Sequence, residues 1–192
     1  RAGSMAWGLG DAEIGFNRRT AYLSGRGQMF GEMRTPDYKG PEGAVYRGMP
    51  VLFFFDSRGD PIATAINPWC PAQVAPGNRQ ISADFWHPVR EQLKKEFGES
   101  LTVLCWCGAA GDQMPGPRLH ADAENRMLQL RGIKGWTEEC ARRIVASALD
   151  VYTLVRDERK GDVVLEHRSD QIRLPGWKLS EEEIAGIRAT HD

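Results

Sequence analysis

The chain has 192 residues, with 25 basic and 26 acidic side chains, a formal net charge of −1, and 41% hydrophobic residues that include 6 Trp and 7 Phe. This length and makeup suit one packed domain, or part of one, and exclude a disordered chain. The balanced charge provides no global field for nucleic acid or an acidic bilayer, and the longest strongly apolar run, Val51 to Phe55, falls far short of the roughly 20 residues that span a membrane.

The first residues, Arg1-Ala2-Gly3-Ser4-Met5, have neither the basic start nor the apolar stretch of a secretory signal. Met5 to Phe16 is mostly small and apolar, with glycines at 8, 10 and 15, and predicts strand broken by tight turns. Asn17-Arg18-Arg19 follows directly. Residues 24 to 48 are rich in glycine and lack sustained periodicity, which predicts a long loop.

Met49 to Phe55, the turn residues Asp56-Ser57-Arg58-Gly59-Asp60, and Ile62 to Ile66 predict a β-hairpin. Its second strand runs into Asn67-Pro68-Trp69-Cys70-Pro71, where the prolines end regular pairing and bring Cys70 to a strand exit. Ser82 is placed to cap a helix over 83–97, with Phe85, Trp86, Val89, Leu93 and Phe97 on one stripe and Pro88 in the first turn. Leu101 to Cys107 predicts a strand, and 108–115 a small-residue loop that allows close backbone approach.

Ala121 to Leu130 predicts a short helix. Thr137 is placed to cap a longer one to about Val155, with Cys140, Ile144, Val145, Ala148, Leu149, Tyr152 and Val155 on its apolar side. Val163 to Leu165 and Gln171 to Leu174 predict short strands, and Ser180 caps a last helix with an acidic first turn. Strands mixed with helices predict an α/β fold, a mixed β-sheet with packed helices, over 1–192 as a single domain or domain fragment.

Common catalytic signatures are missing: no HExxH helix, GxSxG elbow, phosphate-binding glycine loop or paired CxxC occurs. Four cysteines, two of them Cys105 and Cys107, do not make a disulfide framework. Polar groups instead gather at strand ends, in Asn17-Arg18-Arg19, in 67–84 and in Gly111-Asp112-Gln113-Met114-Pro115.

Asn17-Arg18 with Ala21-Tyr22-Leu23, the Cys70-Pro71-Ala72-Gln73 stretch, Ile81-Ser82-Ala83-Asp84, and Gly111 through Pro115 stand in an order and spacing that resembles the catalytic domain of the neutral/alkaline ceramidase family, in a divergent bacterial branch. The match spans roughly residues 5 to 115. The resemblance implies part of a larger ceramidase-like catalytic domain, and with it the remaining domains of a parent chain. It further implies hydrolysis of the amide bond of an N-acyl sphingolipid or related amide, zinc as cofactor, and an extracytoplasmic or secreted setting.

Carried over residue by residue, the resemblance gives Arg18, Asp112 and Gln113 catalytic places and Asn17, Gln73, Ser82 and Asp84 places near substrate. Cys70, eleven residues before Ile81, falls where the family has a zinc-binding His, and a thiolate is itself a zinc ligand. Met114 stands at the nucleophilic Ser of Gly-Asp-x-Ser-Pro, and a thioether cannot form an acyl intermediate as a serine does. Two readings therefore stand: a hydrolase to which this chain contributes part of the site, or a family member without catalysis that binds a lipid or glycan. A Cys70 nucleophile would be a third, needing a neighbouring base. The residues leave local alternatives open as well, with Arg18 pairing a loop carboxylate, Ser82 and Asp84 serving as helix cap and first-turn acid, and Cys70 as plain core.

Overall fold

The computed structural model describes residues 3–74, 79–176 and 178–190. In chain order the strands are β1 (Ser4–Asp11), β2 (Gly15–Asn17), β3 (Arg19–Tyr22), β4 (Gly27–Met29), β5 (Tyr38–Pro41), β6 (Gly48–Phe55) and β7 (Pro61–Ile66). Helix α1 (Trp86–Phe97), strands β8 (Thr102–Cys105) and β9 (Gln113–Pro115), and helices α2 (Ala121–Leu130), α3 (Trp136–Val155) and α4 (Glu181–Ala189) follow.

The main sheet has the order β1-β6-β7-β8. β1, β6 and β7 pair antiparallel, the second pair being the expected hairpin, with Asp56 Oδ1 accepting from the Arg58 and Asp60 amides in its turn. β7 and β8 are parallel, a pairing that needs a crossover, and α1 supplies it. Beside this sheet lie a two-stranded ribbon, β2 with β9, and a three-stranded sheet in the order β4-β3-β5. The mixed sheet with packed helices is the architecture the residue pattern predicts.

One face of the main sheet is the core. Met49, Val51, Phe53 and Phe55 on β6 meet Val89 and Leu93 of α1 and Cys140, Ile144, Ala148 and Val151 of α3 in one buried cluster. Phe53, Phe55, Phe97 and Tyr152 pack ring against ring within it, Phe97 and Tyr152 edge to face at 4.7 Å between ring centroids. Glycines 8 and 10 let α3 approach β1: a Cβ on Gly8 would stand 2.8 Å from Val151 Cγ1, and one on Gly10 would collide with Ser147. Cys140 is core, as its place on the apolar stripe of α3 predicts.

A buried carboxylate ties this core to its surroundings. Glu139, fully buried on the first turn of α3, accepts from Arg142 Nε and Nη2, both at 2.7 Å, and from Arg143 Nε at 2.6 Å. Arg143 also donates to the Glu13 carbonyl at 2.7 Å and to Glu124 at 3.1 Å, so one guanidinium links α3 to the β1–β2 connection and to α2.

Several predicted details differ. The 24–48 segment is not simply loop, because β4 and β5 flank β3 there. Strands of three or four residues without apolar alternation leave no period to read. The 108–115 loop ends in β9, and neither 163–165 nor 171–174 forms a strand. α1 begins at Trp86, after Asp84 takes a left-handed φ of 53° that a helix cannot include, and its N-cap Phe85 offers no side-chain cap. Thr137 lies inside α3, whose N-cap is Gly135. The Ser180 cap is as expected, completed as a capping box by Glu183.

Candidate functional site

The β2–β9 ribbon builds the site. Its register sets Asn17 opposite Gln113, Phe16 opposite Met114 and Gly15 opposite Pro115, joining two sequence segments some hundred residues apart. Asn17 Nδ2 donates to Asp112 Oδ2 at 2.7 Å, and Gln113 Nε2 donates to Asp112 Oδ1 at 2.9 Å. Asn17 Oδ1 accepts from the Arg19 amide at 2.9 Å, and the Arg18 amide donates to the Asp112 carbonyl at 2.7 Å. Asp112 therefore has both carboxylate oxygens and its carbonyl committed to fixing this pair of loops.

Arg18 extends from the ribbon and donates through Nη2 to the Gly111 carbonyl at 2.7 Å. It borders an open depression of about 310 Å³ lined also by Pro71, Gln73, Cys107, Gly108, Gly111 and Gln113. Arg18 makes no ion pair with a loop carboxylate among the described residues; its ring neighbour is Phe30, with 5.9 Å from guanidinium carbon to ring centroid. Arg19 does pair, with Glu42, and that carboxylate holds the Arg19 guanidinium above its ordinary pKa while the Glu42 carboxyl is lowered in return. Arg18 Nε and Gln113 Oε1 are buried without a hydrogen-bond partner. Unsatisfied buried polar atoms are rare enough to mark the place where they gather.

The remaining sequence-predicted residues lie apart. Met114 follows Gln113 on β9, so its side chain projects to the other face of the ribbon. Cys70 is buried, its Sγ 3.5 Å from the Ile14 and Pro71 carbonyls. Burial pushes the Cys70 thiol far above its ordinary pKa, and the nearby Cys140, Cys107 and Asp84 push in the same direction, which keeps it neutral. Burial likewise raises Cys140, to about 12. Asp84 stands at the start of α1, where its carboxylate accepts from the Val74 amide at 2.9 Å and the Phe85 amide at 2.8 Å. Ser82 Oγ accepts from the Asp84 amide at 3.0 Å, so both residues brace the Cys70–Val74 segment against α1.

The described residues do not fit a zinc site. Among them no group of three or more His, Cys, Asp or Glu could hold a metal ion, and the Cys70 thiol faces carbonyl oxygens. Native alkylation with iodoacetamide is expected to modify Cys107, the exposed cysteine, and to reach Cys70 and Cys140 only after unfolding. Peptide mapping that finds Cys70 modified as fast as Cys107 in the folded protein would contradict this burial.

Sequence reasoning missed Arg118. Its Nη1 donates to the Arg18 carbonyl and to Thr20 Oγ1, each at 3.0 Å, and its Nη2 to the Gly31 carbonyl at 2.7 Å. This guanidinium locks β3 and the turn after β4 beside Arg18. The signal for it is slight: a basic residue just past Gly116-Pro117, after the Asp112 loop. Cys107, on the rim of the depression, was read only as part of a strand.

No protein-family model matches the chain, and no curated protein matches it. Among solved structures, the neutral ceramidase from Pseudomonas aeruginosa superimposes with a TM-score of 0.53 at 18% identity, over 79% of this chain and 22% of that one. A ceramidase complexed with C2 superimposes with a TM-score of 0.49 at 17% identity, over the same 79% and 22%. The chain spans less than a quarter of the length of either, and its fold is that of part of the Pseudomonas aeruginosa neutral ceramidase over the superimposed residues.

Proposed function

We propose that the chain forms part of the reaction site of a ceramidase-like hydrolase that cleaves the amide bond of an N-acyl sphingolipid or a related N-acyl amide. The observation that carries this reading is the hydrogen-bonded unit Asn17–Asp112–Gln113, which holds Arg18 at the edge of a depression shared with Gln73. In this reading the scissile amide lies in the depression. Among the described residues Arg18 carries a guanidinium without a carboxylate partner, suited to a carbonyl oxygen that becomes negative in the transition state. Gln73 and Gln113 provide amide groups for the substrate's polar atoms, and Asn17 and Asp112 position the loops. The same reading places the protein outside the cytoplasm and makes further parts of a longer chain its partners.

Met114 favours a second reading, binding of an N-acyl lipid without cleavage, since it puts a thioether where the resemblance expects a hydroxyl. The test is release of fatty acid from an N-acyl sphingosine by the natural-length protein, with zinc supplied and with it chelated. Turnover is the expected result. Lipid binding without turnover would move the assignment to the second reading.

A further inference from the structure

We propose that Phe30 is a positioning residue that holds the Arg18 guanidinium at the depression, an inference that rests on the hydrolase reading above. Phe30, in the turn after β4, takes a left-handed φ of 54°. For a bulky side chain that conformation is an outlier, since only Gly, and to a degree Asn and Asp, visit it at low cost. Burial in the core does not account for it, because the residue is 55% exposed. The surrounding bonds impose it: the Phe30 amide donates to the Arg18 carbonyl at 2.8 Å, and the Gly31 carbonyl accepts from Thr20 Oγ1 at 3.1 Å and from Arg118 Nη2 at 2.7 Å. Gly31 itself lies too close to β3 for a side chain, since a Cβ there would stand 3.0 Å from Thr20 Cβ. Backbone strain that its surroundings hold in this way collects where it fixes a functional geometry.

What the turn fixes is the ring beside Arg18. The guanidinium carbons of Arg18 and Arg118 lie 5.9 and 5.8 Å from the ring centroid, within the range at which a cation is drawn to an aromatic face. The two cations differ in what else holds them. Arg118 is fastened by the Arg18 and Gly31 carbonyls and by Thr20 Oγ1. Arg18 has one side-chain hydrogen bond among the described residues, to the Gly111 carbonyl, and its Nε is buried without a partner. A long side chain on a single tether samples several rotamers, and the ring is the second support that keeps the Arg18 fork at the edge of the depression. An aromatic face gives that support without a carboxylate, which would offset the positive charge that a developing oxyanion needs.

Kinetics of the natural-length protein with an N-acyl sphingosine test it. Ring fluorination drains negative charge from the aromatic face at nearly constant shape, so mono-, di- and trifluorophenylalanine in place of Phe30 are expected to lower kcat stepwise while KM and the melting temperature stay as in wild type. Phe30→Asn, which tolerates the left-handed backbone, is expected to lower kcat by about 2–5-fold without lowering the melting temperature. Fluorinated proteins as active as wild type would overturn the proposal. Activity and melting temperature that fall together in Phe30→Asn would overturn it as well, because the ring would then serve packing. A wild-type protein without turnover would defeat the hydrolase reading and leave the hold on Arg18 to be read by phenylglyoxal labelling mapped by mass spectrometry. Arg18 is expected to react several-fold faster in Phe30→Asn than in wild type, and equal rates would overturn the positioning role.

Discussion

Glu139→Ala is expected to destabilise the domain by about 3 kcal/mol, the largest effect of any single substitution considered, because it removes a buried carboxylate from the largely buried Arg143 guanidinium and from Arg142. The Glu139 side chain has no exposed surface, while Arg143 is 14% exposed and Arg142 45%. Hydrogen bonding from Arg142 is the leading cause that holds the Glu139 carboxyl at about 2, with burial opposing and Arg143 reinforcing. A carboxyl whose pKa is depressed on folding stabilises the native state in full above its unfolded value. For Glu139 that contribution falls away between about 4.5 and 2 as the pH drops. Urea midpoints of wild type and variant should therefore lie far apart at pH 7 and draw together toward pH 3. Equal midpoints at pH 7 would show that the cluster does not hold α3 in place.

Arg18→Gln is expected to lower kcat/KM for N-acyl amide cleavage by about 10²–10³-fold, the loss typical when one donor to a developing oxyanion is removed. Arg18 contributes little to the core: among the described residues its side chain makes one hydrogen bond, to the Gly111 carbonyl, and its guanidinium lies over the Phe30 ring. The fold should therefore survive the change, with an unaltered circular dichroism spectrum and melting temperature. Arg18→Lys keeps the charge but loses the planar fork and should recover only part of the activity. An Arg18→Gln protein as active as wild type would place the reacting carbonyl elsewhere.

The elements that were legible in the sequence are those with a period. The β6–β7 hairpin announces itself through an apolar run, a turn and a second run, and the buried side of α3 through Cys140, Ile144, Val145 and Ala148. β4, β5 and β9 were not legible, since each is three or four residues long and owes its form to a partner distant in sequence. Val163 and Val164 show the converse: β-branched residues with no strand beside them stay unpaired. For the site, the motif order named Asn17, Arg18, Asp112 and Gln113, and the ribbon brings them together. The residues alone left open whether Ser82 and Asp84 serve the start of α1 and whether Cys70 is core; a left-handed Asp84 and contacts across the fold decide both in favour of those structural roles.

The claim that the ribbon face is the reaction site is tested most directly by photocrosslinking. An N-acyl sphingosine with a diazirine beside the amide is bound to the natural-length protein, irradiated, and the adducts mapped by mass spectrometry. The account predicts adducts in the peptides that carry Arg18, Gln73 and Cys107 through Gln113, reduced by competition with unlabelled lipid. Competable adducts confined to other segments, with these peptides unmodified, would contradict it.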